Sequence, residues 1–182
     1  MSQCVRCKKD AELLTADRKI FNDWWGNKRS KMDERMRVHL VPITKDNIDE
    51  VLALRVREDQ KYYVSSTAES LAQAYVYAEN AFPFAVYDDE TVVGFIMMGY
   101  YEVKHYYTLW KLMIDYRYQG KGYGREALKL GTAFLKERFN VSEIYTGVLP
   151  ENKVAKNLYR SFGFENTGLT EFGMEEMRMV LH

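Results

Sequence analysis

Residues 107–124 read YTLWKLMI-DYRY-QGKGYG: an apolar run from Tyr107 to Ile114, a spacer from Asp115 to Tyr118, then Gln119-Gly120-Lys121-Gly122-Tyr123-Gly124 with glycine at every second position. The following segment, residues 125–138, carries Ala127, Leu128, Gly131, Phe134 and Leu135 at the helical period. The stretch is therefore a strand that turns through glycine into a helix. Such a turn is an anion site. Glycines let backbone N–H groups converge with no Cβ in the way, and the helix N-terminus adds about half a positive charge. A phosphate or pyrophosphate is the natural guest.

Working outward, residues 37–42 (RVHLVP) alternate and predict a strand. Thr44 or Asp46 is placed to cap a helix carrying Ile48, Val51, Leu52 and Leu54, and a second helix is expected over residues 68–79 with Leu71, Ala72 and Tyr75 on one face. Pro83 opens a strand through Tyr87, Asp88-Asp89-Glu90 makes a hairpin turn, and residues 91–101 (TVVGFIMMGYY) form a long apolar strand. Beyond the glycines, residues 143–149 read as a strand ending at Pro150. Residues 153–162 form a short helix with Ala155, Leu158, Tyr159 and Phe162 on one stripe, and residues 165–169 and 174–181 close the chain as a strand pair around Gly173. Hairpin neighbours pair antiparallel. The strand–helix–strand unit over residues 107–149 needs a crossover, so its two strands should be parallel. The fold class is α/β (α+β): a mixed, mostly antiparallel sheet with a central parallel pair and helices on both faces.

The N-terminal 36 residues differ. They hold nine Lys or Arg against six Asp or Glu and lack strand alternation, and Ile20, Phe21, Trp24 and Trp25 recur four apart, as on a helical face. Residues 1–36 are thus an extension, partly helical or disordered, and residues 37–182 are the domain. Met32 and Met36 leave a later translation start open. The formal net charge is zero, so no global field draws nucleic acid or a membrane. No apolar run approaches the roughly 20 residues that span a bilayer. No apolar signal segment follows the first basic residues, and Cys4 and Cys7 are the only cysteines, so a cytoplasmic location is expected. A zinc site usually takes four ligands; Cys4 and Cys7 have no second pair, so no metal is expected.

Other glycine loops fail on spacing. A P-loop requires Ser or Thr after its lysine, and Lys121 is followed by Gly122. A dinucleotide loop starting at Gly120 would need glycine where Arg125 stands. Downstream kinase motifs are absent. What does fit is Gln119-x-x-Gly122-x-Gly124, which resembles the Q/R-x-x-G-x-G/A segment of the GNAT N-acetyltransferase superfamily. Downstream, Asn152, Ala155, Tyr159, Gly163 and Phe164 stand at the spacing of that superfamily's N-x-x-A-x-x-x-Y-x-x-x-G-F segment. The resemblance spans residues 37–181 and implies acetyl-CoA as co-substrate. By position, Leu112, Met113 and Ile114 would pair with its pantetheine arm, while Gln119, Gly120, Lys121, Gly122, Tyr123 and Gly124 would hold its pyrophosphate. Residues 104–125 carry five basic side chains (Lys104, Lys111, Arg117, Lys121, Arg125) against Asp115 alone, which suits a polyphosphate ligand or a solvated face.

Asn152 has two compatible readings, helix cap and partner of the pantetheine arm. Tyr159 read alone is a core tyrosine; the resemblance makes it the general acid that meets the departing thiolate, since a phenol is protonated at neutral pH. A backbone N–H near Met113 or Ile114 would stabilise the oxyanion. Both cysteines lie outside the matched domain, so the amine is expected to attack directly. It must first lose its proton, and Glu58, Glu69, Glu102 and His105 are candidates beside water or an ordinary surface role.

Residues 55–104 hold eight acids and four bases with seven tyrosines, a composition suited to an extended cationic amine. Residues 58–66 (EDQKYYVSS) look like the substrate side of bacterial diamine, spermine and spermidine acetyltransferases. The acceptor expected is a polyamine, with Glu58, Tyr62, Glu69 and Glu102 as substrate-binding residues. The alternatives are a protein amine, an aminoglycoside, or a coenzyme A-binding sensor without turnover. A homodimer is left open.

Overall fold

The computed structural model describes residues 38–181. The extension read over residues 1–36, with Ile20, Phe21, Trp24, Trp25, Cys4 and Cys7, lies outside the described residues.

Seven strands form one sheet in the order β1-β2-β3-β4-β5-β7-β6. They are β1 (Val38–Pro42), β2 (Ala81–Asp88), β3 (Thr91–Tyr101), β4 (Tyr106–Ile114), β5 (Glu143–Val148), β6 (Glu165–Glu171) and β7 (Met174–Val180). The helices are α1 (Ile48–Leu52), α2 (Thr67–Val76), α3 (Tyr123–Phe139) and α4 (Lys153–Phe162), with a 3-10 turn at Glu58–Gln60. All neighbours pair antiparallel except β4 and β5, which are parallel. This is the expected mixed sheet.

β3 shows why both faces are covered. It is buried almost end to end, and its alternate residues serve two cores. Phe95 and Met97 pack with Val51 and Leu54 from the α1 region and Ala74 of α2. Ile96 and Met98 point the other way, under α3. A Cβ on Gly131 would stand 2.9 Å from both Ile96 Cδ1 and Met98 Sδ, so glycine is what lets α3 lie this close to the sheet. Phe134 of α3 adds an edge contact to Phe84 and a tilted one to Phe82 of β2.

The clearest departures from the sequence reading are in α1, β2 and α2. The cap of α1 is Asn47 rather than Thr44 or Asp46, and its side chain turns back instead of capping: Thr44 N–H donates to Asn47 Oδ1 at 2.8 Å, and Asn47 Nδ2 donates to the Pro42 carbonyl at 3.0 Å. The helix then lasts only five residues. β2 begins at Ala81 rather than Pro83. The proline is tolerated inside the strand because the β1 ladder reaches only to Phe84. α2 starts at Thr67, where Ser66 and Glu69 form a reciprocal capping box, and ends at Val76 rather than Glu79.

Candidate active site

The site grows from a fork in the sheet. β4 and β5 are paired only at Thr108↔Tyr145 and Leu109↔Thr146. At the same point the β3–β4 register shifts: Met98 faces Leu109 and Met97 faces Lys111, leaving Trp110 as a bulge. A bulge bends and twists its strand, so β4 leaves β5 here and runs on to Ile114 with no ladder on that side. Backbone donors and acceptors from Trp110 to Ile114 therefore border a cleft of about 1190 Å³.

Beyond Ile114 the chain is fastened before it reaches the glycines. Asp115 is fully buried. Its Oδ2 accepts from Arg55 N–H at 3.0 Å, and its Oδ1 accepts from Arg117 N–H at 3.0 Å and Arg117 Nε at 2.7 Å. Burial raises its pKa, but the Arg117 guanidinium and the two backbone donors outweigh burial and hold it below its ordinary value. Tyr116 N–H donates to the Arg55 carbonyl at 2.9 Å. Gln119 Nε2 donates to the Ile114 carbonyl at 3.0 Å and to Gln60 Oε1 at 2.8 Å, folding the loop back over the strand end and tying it to the 3-10 turn.

Gly120 and Gly122 both have left-handed backbone, with φ of 77° and 90°. Gly122 is the N-cap of α3 and offers no side chain to its first N–H groups, and Gly122, Tyr123 and Gly124 line the cleft. Gly122 and Gly124, the two glycines of the loop that fit the family spacing, differ in kind. Gly122→Ala puts a Cβ where the backbone is left-handed, at about 1 kcal/mol or more of strain; if that strain falls on the ligand-holding loop, it should raise the Kd for coenzyme A, the ligand expected from the sequence, about fivefold or more in calorimetry. A Cβ on Gly124 would meet Leu158 Cδ2 at 3.4 Å and Ile114 Cγ1 at 3.7 Å, ordinary contacts, so Gly124→Ala should bind within about twofold of wild type.

The other wall comes from α4. Asn152 is its N-cap, with Oδ1 accepting from Ala155 N–H at 3.1 Å, and its amide nitrogen is left for the cleft. Tyr159 is 7% exposed. Burial pushes its phenol up to about 12, against a hydrogen bond with Thr146 that works the other way. Thr146 in turn donates to the Leu109 carbonyl at 3.2 Å, in the last pair before the strands part. The phenol thus stands at the fork itself. Lys111 also reaches the cleft, donating to Ser65 Oγ at 3.1 Å; burial depresses its pKa, opposed by the charge of Glu69.

Of the residues singled out from sequence, Leu112, Met113, Ile114, Gln119, Gly120, Gly122, Tyr123, Gly124, Asn152 and Tyr159 line this one cleft, together with Tyr62 and Glu69. Lys121 stands outside its wall, with Nζ 5.5 Å from the Tyr118 ring. Glu58 is an exposed partner of Lys61 at 2.7 Å, off the wall as well. Glu69 is occupied with Ser66 at the start of α2. Glu102 lines a second cavity of about 430 Å³ that adjoins the cleft. Sequence reasoning gave no site role to Thr146 or Asp115; a lone Thr in a strand, or one Asp after an apolar run, gives no signal before its neighbours are known.

The sequence profile described as the acetyltransferase (GNAT) family matches residues 48–164, well over half of the chain. The chain belongs to that family. It is an acetyl-transferring enzyme, an N-acetyltransferase. Among curated relatives, the spermine/spermidine N(1)-acetyltransferase of Bacillus subtilis (strain 168) is 32% identical over 151 residues, covering 78% of this chain and 97% of the relative. Two solved N-acetyltransferase structures share the fold. The spermidine N-acetyltransferase of Vibrio cholerae, in complex with CoA and spermine, has a TM-score of 0.61 at 19% identity, over 80% of this chain and 95% of that one. An N-acetyltransferase of Thermoplasma acidophilum in complex with coenzyme A has a TM-score of 0.60 at 16% identity, over 79% and 99%.

Proposed function

We propose that this GNAT enzyme moves the acetyl group of acetyl-CoA to a primary amine of a polyamine such as spermidine or spermine, by direct attack in a ternary complex. The observation that carries the reading is the fork between β4 and β5. It sets an unpaired strand edge, a glycine-capped helix N-terminus and a buried phenol along one cleft. The unpaired edge at Leu112, Met113 and Ile114 suits an amide-bearing pantetheine arm, which can complete the ladder. The Asn152 amide nitrogen can add a further donor. The N–H groups from Gly120 to Gly124 suit the pyrophosphate.

The free-base amine attacks the thioester carbonyl, a C–N bond forms and the C–S bond breaks. Backbone N–H groups at Met113 or Ile114 are the natural donors to the oxyanion. Nitrogen gives up one proton and sulfur takes one up, so the proton balance closes. Tyr159 stays protonated at neutral pH and donates to the departing sulfur.

The polyamine acceptor is supported by the Bacillus subtilis relative and by the acids and tyrosines about the site. Tyr62 and Glu69 stand on the main cleft, and Tyr100, Tyr101, Glu102, Tyr106, Glu171 and Glu176 on the adjoining cavity. Incubation with acetyl-CoA and spermidine should give a product one acetyl group heavier by mass spectrometry. Unchanged spermidine, with another amine acetylated in a parallel reaction, would reject the acceptor.

A further inference from the structure

We propose that the second cavity is the seat for the far ammonium of the polyamine, with Glu171 and Glu176 as its counter-charges and Lys104 as a built-in cation that competes for them. The inference rests on the polyamine reading above and adds where the chain of the substrate runs.

The cavity, about 430 Å³, is continuous with the reaction cleft: Trp110, Lys111, Thr146, Gly147 and Met174 line both. It begins at the fork, where Thr146 meets Leu109, and reaches Tyr106 at the start of β4. Tyr106 lies three residue steps along the strand from Leu109, a span of about 10 Å. A reacting nitrogen at the fork can be joined to this seat by an extended polyamine, whereas a short monoamine cannot bridge the two.

The far end carries the chemistry of an alkylammonium site, and the chain's own lysine shows it. Lys104 Nζ lies 2.8 Å from a carboxylate oxygen of Glu171, 2.8 Å from one of Glu176, and 5.8 Å from the centre of the Tyr106 ring. Two carboxylates and an aromatic face around one ammonium is how proteins hold such cations. The carboxylates are held in place independently of Lys104. Glu176 accepts from Tyr106 OH at 2.9 Å and, on its other oxygen, from Thr167 Oγ1 at 3.1 Å, while Glu171 accepts from Tyr101 OH at 3.3 Å. Although burial works in the opposite direction, the hydrogen bonds from Lys104, Tyr106 and Thr167 keep the Glu176 carboxyl ionised, below its ordinary range. Two negative charges share one ammonium, so a further cation is still favoured there, and Lys104 limits how strongly.

The test compares KM for spermidine and for a short monoamine such as propylamine in wild type, Lys104→Met and Glu171→Gln. Glu171 is chosen because Glu176, with more bonds and less exposure, is the riskier one to alter. Lys104→Met should lower the spermidine KM about threefold and Glu171→Gln should raise it by about the same factor, the size of one partly screened ion pair. The monoamine KM should stay put in both, and melting curves check that both variants fold. If spermidine is acetylated but its KM ignores both changes, or moves together with that of the monoamine, the seat is wrong and the acceptor reading stands. If Lys104→Met raises the spermidine KM, the lysine is a structural tie rather than a competitor. If the wild type acetylates monoamines and no polyamine, the acceptor reading fails and the seat falls with it.

Discussion

Tyr159→Phe should lower kcat by about 10²–10³-fold, within the range removed with a general acid, while the Kd for coenzyme A stays within about twofold. The phenyl ring keeps the packing against Phe164, 5.7 Å away between ring centres, and Thr146 keeps its bond to the Leu109 carbonyl, so the fork survives the change. Only the hydroxyl proposed as the general acid is lost. Because burial pushes that hydroxyl up to about 12, it stays protonated through the working range. The rate of the wild type should therefore show no falling limb from Tyr159 between pH 7 and about 10. Stability follows the same shift. A phenol raised from about 10 to about 12 contributes fully below pH 10, and its contribution is lost as pH climbs through 12. Tyr159→Phe should flatten that part of the alkaline melting profile. A variant with near-normal kcat would remove Tyr159 from the chemistry.

The second large effect is on stability. Asp115→Ala should cost about 3 kcal/mol, the order found when one partner of a buried ion pair is removed, and lower Tm by about 10 °C. The carboxylate has no exposed surface, and its loss orphans two backbone N–H groups, those of Arg55 and Arg117. Arg117 itself is half exposed and can find water, which keeps the figure at the lower end. The damage should also spread to binding, since this carboxylate fixes the strand end from which the glycine loop departs. The sign with pH follows from the depressed carboxyl. Its contribution is complete above the unfolded value of about 4 and is lost as pH falls through the lower folded value. Thermal melts in acid should converge for wild type and Asp115→Ala as pH drops below about 4; parallel curves would show that the carboxylate contributes nothing.

Much of the fold could be read from periodicity alone where one element carries a strong pattern and clear ends. α4 runs over Lys153–Phe162 as the stripe and the Asn152 cap predict, and the structure ends it on a left-handed Gly163 that agrees with both. α1 ended early and took Asn47 as its cap because that side chain bonds backward to Pro42 and Thr44, a tertiary choice between several equally good capping residues. The candidate site divides in the same way. Glycines and an Asn–Tyr spacing are local, so the residues that line this wall of the cleft were legible. The fork was not: a parallel ladder of two residue pairs and a bulge at Trp110 come from how β4 packs between β3 and β5. On the acceptor side, sequence could count acids upstream of Lys104. It could not show that Glu58 would pair with Lys61, nor that Glu171 and Glu176, seventy residues on, would meet Lys104.

The most direct test of the account is coenzyme A thiol release by the purified chain, measured across spermine, spermidine, putrescine, a lysine peptide and an aminoglycoside at matched concentrations. Polyamine acetylation by acetyl-CoA predicts release with spermine or spermidine at a kcat/KM at least tenfold above the peptide and the aminoglycoside, with kcat about 10²–10³-fold lower in Tyr159→Phe. Release with the peptide or the aminoglycoside and none with any polyamine would contradict it.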